Sequence, residues 1–525
     1  MSGRGLMCNH SANSNGAGLH KSATNLALLS LMLLGAALRL RGLTSGGLWR
    51  DDSWAALSAR VGIGTAWHMW VTAPGFYFME RTWILLHHGS TEWDQILPLI
   101  IGVAGIPAIF YLAKYFTLRK WAGLFSALIV TVSPICVIYS SRLKEYDADF
   151  LLSCLIIFLA ERARRRPENR QLFFLMVASV GAFFISASIL PVVVGAWLML
   201  AILALASHTE LARISVGGLI TAFAFTLIAA VFYRHLSPAL HTFWKPYYIT
   251  FESPGRFITR FLDLVVGISS YMTGANYGDH IVRALVFLVL LSLLLTGVFH
   301  STRAMLGPIL ILGAAVIACA LGAIPLGTGR TDEVLYPPII LLVSLGLQKA
   351  VIGLFERSAA WREMHVPTLR WPLAAIAVLL VVAVSTNTYA NSGYPTEDTQ
   401  ALAVKVYRAF RPGDHIVVDD LMRYPWALYE DKPLRLEFGT AWATGFSVVS
   451  SQQNVFLAPS ENYEGGSDPM AWTKDMDSYK RLWFVETPDT PLSLSPFYAS
   501  LRRAGWHPIR EITATGCAAL LLVRS

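Results

Sequence analysis

Long apolar stretches separated by short polar joints follow one another along most of this sequence. A helix of roughly 20 apolar residues spans the hydrocarbon core of a bilayer, and most of the stretches approach that length, although 150–160 is short on its own. The pattern predicts a mainly α, polytopic membrane helix bundle with about 11 transmembrane helices. The stretches lie near residues 24–40, 96–116, 121–139, 150–160, 171–187, 188–206, 214–232, 281–299, 305–323, 335–348 and 371–388.

The composition excludes a soluble protein. Hydrophobic residues make up 54% of the chain and charged residues 14%, against roughly 25% charged residues in a typical soluble domain. The formal net charge is +8, but Lys and Arg fall mostly between the apolar stretches, which is typical of membrane topology rather than of a nucleic-acid surface. We therefore expect no nucleic-acid partner.

The chain divides into three parts. Residues 1–23 are rich in Ser, Asn and Gly and are predicted to form a disordered cytoplasmic tail. Residues 24–390 form the predicted membrane domain, whose first stretch is followed by Arg39 and Arg41 without a cleavage pattern and is therefore a retained helix. Residues 391–525 are polar and mixed, with strand-like segments between helical ones, and predict a small extracytoplasmic α/β domain.

One segment decides the topology. Residues 75–90 are apolar but carry Glu80 and Arg81 in their middle. The strongest positive joints, 118–120 and 161–166, should be cytoplasmic. With a cytoplasmic N-terminus, both are cytoplasmic only if residues 75–90 lie along the outer membrane interface instead of crossing. This topology places the charged segments 50–52, 142–149 and 329–333 together on the outer face.

Asp51 and Asp52 form an adjacent carboxylate pair between Trp49 and Trp54. In a partly dry cleft, a carboxylate beside a like charge can serve as a general base, which would be Asp51, with Asp52 modulating or orienting it. The alternative is a solvated interfacial loop flanked by aromatic residues of the membrane interface. The pair alone leaves both open.

The other two segments supply cations. Arg142 and Lys144 could hold an anionic headgroup, with Tyr146 and Asp149 binding hydroxyl groups; the alternative is an ion cluster that neutralises itself. Arg330 lies in a glycine-rich segment and has the forked geometry that suits phosphate, although a turn with a snorkelling arginine has the same sequence pattern.

Carboxylates and cations on one face together suggest chemistry on a phosphate-bearing lipid. A transporter or flippase of a lipid-linked glycan is the rival hypothesis, because it also places charges in a membrane cavity. The enzyme is favoured because the charges lie at the ends of the apolar stretches and no paired repeat of broken helices is apparent.

Five segments, in order along the chain, resemble one family. They are the Trp-Arg-Asp-Asp segment in 48–57, the Pro-aromatic segment 73–77, the second loop in 133–149, the Arg-to-Pro stretch 330–338, and the helix, turn and strand in 398–419. Together they resemble the bacterial GT-C glycosyltransferases that use polyprenyl-phosphate sugars, a superfamily that includes the protein O-mannosyltransferases and the aminoarabinose lipid A transferases.

The resemblance implies an inverting transfer of a sugar to an acceptor hydroxyl of an envelope glycan, lipid or protein on the outer face of a bacterial inner membrane, with release of polyprenyl phosphate. It implies Asp51 as the catalytic base with Asp52 beside it, and Lys144 and Arg330 at the donor phosphate. Arg142 is assigned to the same phosphate. The substrate-binding candidates are Trp49, Tyr146 and Asp149.

No nucleotide cofactor is expected, and most relatives need no metal, although an Asp pair leaves a divalent cation open. Ser141-Arg142 stand where relatives often carry Gln-Glu. This departure keeps a third hypothesis, a relative that binds polyprenyl lipid without catalysis.

Overall fold

The computed structural model describes the helices, the C-terminal sheet and most of the loops that join them. The described residues are 14–43, 47–60, 73–87, 91–207, 211–233, 238–249, 253–273, 288, 291–299, 305–357, 398–419, 422–429, 435–438, 446–450, 454–457, 476, 478–487 and 496–524.

The described residues between 14 and 357 are mostly helical. In chain order the helices are α1 (Ser14–Leu43), α2 (Arg50–Arg60), α3 (Pro74–His87), α4 (Thr91–Asp94), α5 (Ile96–Thr117), α6 (Lys120–Val132), α7 (Pro134–Tyr139), α8 (Tyr146–Arg165), α9 (Asn169–Ile185), α10 (Leu190–Ser207), α11 (Leu211–Ile228), α12 (Pro238–Trp244), α13 (Pro254–Thr273), α14 (Leu306–Ala320) and α15 (Tyr336–Arg357). Residues 291–299 are also helical.

Among the described residues, several helices are long and apolar enough to cross a membrane. They are Ser22–Leu43, Ile96–Thr117, Ala187–Ser207, Leu211–Phe232 and Glu333–Ala350, with shorter apolar helices at Lys120–Val132, Asn169–Ile185 and Leu306–Ala320. The predicted total of about 11 transmembrane helices stays a prediction, because the stretch 371–388 and most of 281–299 lie outside the described residues.

Three details differ from the sequence predictions. Helix α1 already begins at Ser14, inside the predicted disordered tail, because extending an existing helix is far easier than nucleating one. Proline lacks an N–H and favours the first helical turn, so Pro134 splits the stretch 121–139 into α6 and α7. Helix α13 was missed altogether because its charged residues, such as Arg260, interrupt the apolar pattern.

The bundle has two distinct ends. Gln95, just before α5, donates its side-chain amide to the Ser141 carbonyl at 2.8 Å, so α5 and α8 begin at the same end. They finish at Thr117 and Arg165, which puts the two positive joints at the opposite end. This separation is the one that the topology prediction requires.

Helix α3 stays at the first of these ends. Gly75 approaches Phe184 at the C-terminus of α9, Arg81 donates to the Ala59 carbonyl at 2.8 Å, and Trp83 donates to the Trp93 carbonyl at 2.7 Å. The first half of α3 therefore contacts the C-terminus of α9, and its second half contacts the end of α2 and the residues just before α5. These contacts keep α3 at this end of the bundle, and the interfacial orientation of residues 75–90 stays a prediction.

The C-terminal part is a small α/β domain. Its five-stranded sheet has the order β4-β1-β5-β7-β6, with β1 parallel to β4 and β5, and with β7 antiparallel to β5 and β6. The strands are β1 (His415–Val418), β2 (Arg435–Phe438), β3 (Phe446–Val449), β4 (Val455–Leu457), β5 (Arg481–Glu486), β6 (Trp506–Ala514) and β7 (Cys517–Arg524), and the helices are α16 (Thr399–Ala409), α17 (Arg423–Leu428) and α18 (Pro496–Arg503).

Alternating side chains give this sheet two apolar faces. Trp483 and Val485 pack with α16 and α17 on one face, whereas Leu482 and Phe484 pack with α18 on the other. The strands predicted at 416–418, 482–485 and 518–523 are observed. The predicted domain boundary at residue 390 lies outside the described residues.

The C-terminal domain rests directly on α2. Trp54 meets Tyr424 edge-on, with ring centroids 6.0 Å apart, and Leu57 belongs to the same buried cluster as Tyr424. Just before α2, the Leu48 N–H donates to the Tyr429 hydroxyl at 3.0 Å. The helix that carries Asp51 is therefore held between the membrane bundle and α17.

Candidate active site

The two carboxylates lie in the first turn of α2. There they meet the positive end of the helix dipole, which stabilises negative charge. Asp51 is 3% exposed and Asp52 is fully buried. Because α2 is covered on both sides, these carboxylates must be neutralised by neighbouring protein groups rather than by water.

Asp51 is paired with Arg330. The guanidinium Nη1 donates to Asp51 Oδ2 at 2.6 Å, and Arg50 Nε lies 3.5 Å from Oδ1. Burial alone would raise the pKa of Asp51, but Arg330, Arg50 and Lys144 together hold it below the usual value. Asp51 is thus an ionised carboxylate bound to a cation that lies 279 positions further along the chain.

A glycine turn fixes Arg330. Gly327 and Gly329 adopt φ angles of +79° and +84°, which favour glycine. Both donate their N–H groups to Asp332, each at 2.8 Å, and the Tyr336 hydroxyl donates to the Gly329 carbonyl at 3.1 Å. On its other side the Arg330 guanidinium lies 4.8 Å from the ring centroid of Trp244, a cation–π geometry.

Asp52 joins α2 to the second loop. Its Oδ1 accepts the Leu143 N–H at 2.9 Å, and its Oδ2 pairs with Arg142 at 3.3 Å. Burial raises the pKa of Asp52 to about 6, against the opposing effect of Arg142 and the Leu143 N–H. The carboxylate therefore positions the loop that carries Lys144.

Lys144 has a different environment from the two arginines. Its ammonium lies 4.3 Å from the ring centroid of Trp54, and no described carboxylate is within ion-pair distance of it. Arg142 lies similarly over Trp49, at 5.2 Å. Among the predicted cations, Lys144 is the one that keeps its charge available for a ligand.

Tyr146 joins this cluster, whereas Asp149 does not. The Tyr146 ring meets Tyr139 edge-on at 5.1 Å, and both phenols interact electrostatically with Arg330. Asp149 is buried, but no hydrogen bond or ion pair described here connects it with Asp51, Asp52 or Arg330. Its assignment to the substrate stays a prediction without support from these contacts.

A second polar layer supports the loop from below. Arg39 is fully buried in α1 and donates to Ser140 Oγ at 2.8 Å and to the Val130 carbonyl at 3.2 Å. Arg39 thus fixes the beginning of the second loop, whose later residues Arg142 and Leu143 contact Asp52. In the part of the chain that the structure describes, no three His, Cys, Asp or Glu side chains converge as metal ligands.

Sequence reasoning missed three participants. Arg50 could have been found, because it is adjacent to Asp51. Trp244 could not, because nothing in the sequence links it to Arg330. Glu80 stands out in the sequence for its effect on topology, but nothing there links it to this site; burial raises its pKa, and Lys144 and Asp52 are the charged groups that affect it most.

No protein-family model and no curated protein matches the sequence. The structure, however, matches crystal structures of ArnT from Cupriavidus metallidurans. The apo form has a TM-score of 0.53 and 14% identity, covering 95% of this chain and 98% of that one. The form bound to undecaprenyl phosphate has a TM-score of 0.52 and 14% identity, covering 94% and 97%.

The chain has the fold of ArnT. The likeness extends over nearly the full length of both chains, so it includes the C-terminal α/β domain as well as the helix bundle. It confirms the GT-C-like fold expected from the resemblance to the aminoarabinose lipid A transferase group. At 14% identity, the likeness to ArnT establishes the fold, and the chemistry has to be argued from the site.

Proposed function

We propose that this protein is an integral-membrane glycosyltransferase that moves a sugar from a polyprenyl-phosphate donor to an acceptor hydroxyl, with inversion, and that Asp51 is the general base. The observation that carries this proposal is the 2.6 Å pair of Asp51 and Arg330 in a fold shared with ArnT, which has been crystallised with undecaprenyl phosphate. An ionised carboxylate and a cation whose geometry suits phosphate lie side by side.

The proposed step balances without a cofactor. The acceptor oxygen attacks the anomeric carbon while Asp51 takes its proton, and the bond from that carbon to the phosphate oxygen breaks. Polyprenyl phosphate leaves with both bonding electrons, and Arg330 and Lys144 stabilise its negative charge. Inversion follows because the acceptor and the phosphate occupy opposite faces of the sugar.

The ion pair also suggests how the base is activated. A carboxylate held at a low pKa is a weak base. When a donor phosphate binds Arg330, it competes with Asp51 for the same N–H groups. Asp51 then loses its main electrostatic stabiliser while it stays buried, so its basicity rises when the donor is in place.

Asp52 and Arg142 hold the second loop in this scheme. Arg142 is already paired with Asp52, so we assign the direct phosphate contacts to Lys144 and Arg330, with Arg142 at their edge. Trp49 and Tyr146 line the same site. The enzyme would act on the outer face of a bacterial inner membrane, on an envelope glycan, lipid or protein.

The decisive experiment measures release of free undecaprenyl phosphate from undecaprenyl-phosphate glucose and undecaprenyl-phosphate arabinose by purified protein. General-base catalysis contributes about 10²–10⁴-fold, so Asp51→Asn should lower turnover by at least about 100-fold. Asp263→Asn, at an exposed position of α13, is the matched control and should keep wild-type turnover. Parallel reactions with a chelator test the divalent cation that the Asp pair leaves open.

Other results would support the rival hypotheses. Donor binding without release by the wild type would indicate a lipid-binding relative. Translocation of the lipid that does not depend on Asp51 would indicate a flippase. Equal release by the wild type and by Asp51→Asn would remove Asp51 from the central role.

A further inference from the structure

Glu80 is a buried carboxyl group that the scheme above leaves unused. It is fully buried on α3, and neither of its carboxyl oxygens has a hydrogen-bond partner among the described residues. The neighbouring Arg81 fastens α3 to α2 through the Ala59 carbonyl. The position of Glu80 beside the catalytic helix is therefore fixed, while its polar atoms are unsatisfied.

Such a group destabilises a fold. A buried polar group without a hydrogen-bond partner loses its hydration without compensation, and a charged group loses more. Burial raises the pKa of Glu80 well above its usual value, although the positive charge of Lys144 opposes this shift. Burial thus favours the neutral carboxylic acid, which has one O–H donor and a carbonyl acceptor.

One further unsatisfied group lies on α2, to which α3 is hydrogen-bonded, and an unpaired cation lies on the loop that Asp52 holds against α2. The indole N–H of Trp54 is buried and has no acceptor among the described residues. The ammonium of Lys144, unpaired in the described part of the chain, lies over the same indole ring. After burial, Lys144 has the largest effect on the pKa of Glu80, and it acts on Asp51 as well. It thus connects the three groups with the proposed base.

We propose that Glu80, the Trp54 indole N–H and Lys144 form a subsite that binds the ring hydroxyls of the donor sugar. This inference rests on the proposed function and adds the part of the donor that selects one sugar over another. A sugar hydroxyl both donates and accepts hydrogen bonds, so it satisfies a carboxylic acid and an indole N–H together. The apolar tail of the lipid forms hydrogen bonds with neither group. A phosphate would accept hydrogen bonds from the donors but would leave the acceptor without a partner.

A purely structural role predicts the reverse arrangement. A carboxyl group that stabilises the fold accepts hydrogen bonds from the groups around it, as Asp52 does from Leu143 and Asp332 from Gly327. Glu80 has no such bonds in the described structure. A ligand that bonds to Glu80 would supply the hydrogen bonds that the protein itself does not.

The test compares binding of the bare lipid with binding of the sugar lipid. Wild type, Glu80→Leu and Glu80→Gln are titrated with undecaprenyl phosphate and with its glucose and arabinose conjugates. Glu80→Leu should weaken binding of the preferred conjugate at least tenfold and leave undecaprenyl phosphate within about twofold. Glu80→Gln keeps a donor and an acceptor and should recover most of the loss.

Thermal unfolding separates this role from a structural one. Because Leu removes unsatisfied polar atoms, Glu80→Leu should unfold at an equal or higher temperature than the wild type without ligand. A lower unfolding temperature, or an equal loss of affinity for all three lipids, overturns the proposal. Wild type that favours one conjugate over the bare lipid without ever releasing undecaprenyl phosphate would contradict the proposed function and leave the subsite standing.

Discussion

Asp51 and Asp52 are neighbours in the chain, yet their surroundings drive their pKa values in opposite directions. Burial favours the neutral form of each. Arg330, Arg50 and Lys144 outweigh burial at Asp51, whereas Arg142 and one backbone N–H do not outweigh it at Asp52. Two carboxylates of different acidity suit different tasks, one for the proton and one for position.

This difference predicts a pH dependence. Asp52, with a pKa of about 6, is ionised above pH 6 and neutral below it, so acidification weakens the contact with Arg142 and turnover should fall as the pH drops through 6. Because this pKa is raised in the folded protein, stability should instead fall as the pH rises from about 4 towards 6. A pH–rate profile checks the predicted fall in turnover, and thermal unfolding measured at several pH values checks the predicted fall in stability.

The variant Asp52→Asn should lose the fall in turnover near pH 6 and turn over more slowly at every pH, whereas part of the fall in stability should remain, because burial also raises the pKa of Asp332 to about 6. Asp332 is the matched control, because burial raises its pKa to about 6 as well. If Asp332→Asn removes the inflection from the pH–rate profile and Asp52→Asn does not, the fall in turnover comes from titration of Asp332 in the glycine turn.

At the scale of elements, the turn before Arg330 is the most constrained segment of the site. An alanine at position 329 would need a left-handed backbone, which costs a non-glycine residue about 1–2 kcal/mol. Its Cβ would also lie 2.8 Å from the Tyr271 ring. Gly329→Ala should therefore shift Arg330 away from Asp51 and lower turnover at least about tenfold.

Gly313→Ala supplies the comparison, because a Cβ there meets nothing within 4 Å and alanine suits a helix. Turnover of both variants is measured by release of undecaprenyl phosphate. Equal turnover of Gly329→Ala and wild type would mean that the turn does not set the position of Arg330.

The contact of α17 with α2 makes a second prediction at this scale. Tyr429→Phe removes the acceptor of the Leu48 N–H, and an unsatisfied buried N–H costs about 1–3 kcal/mol. Thermal unfolding should begin at a lower temperature, and turnover should fall because α2 carries Asp51. Tyr479→Phe, which changes a ring stacked on His415, should alter turnover little; equal effects of both would indicate general destabilisation of the domain.

At the scale of the whole molecule, the two ends of the bundle should face different compartments. In a background without the five cysteines, Arg510→Cys in the C-terminal sheet should react with a membrane-impermeant maleimide in intact cells. Lys120→Cys, in the positive joint at the opposite end, should react only after lysis. Labelling of both before lysis would contradict the predicted topology.

Much of this architecture could be predicted because hydropathy acts on whole stretches. Helices α5, α9 and α10 closely match apolar runs, and strands β1, β5 and β7 match their predicted segments. The carboxylates and Arg330 could be predicted because charges near a bilayer are costly and conspicuous. Helix α13 could not, since its apolar face is interrupted by charge, and Trp244 and Glu80 depend on contacts between distant segments that no local pattern encodes.

The position of α17 above α2 has a kinetic consequence. The C-terminal domain covers Asp51 on that side. A donor with a long isoprenoid tail would therefore reach Asp51 laterally, from within the bilayer. The encounter is then two-dimensional, and the relevant variable is the mole fraction of donor in the membrane rather than its concentration in the whole sample. Diluting a fixed amount of donor with inert phospholipid should slow turnover, although the bulk concentration stays constant.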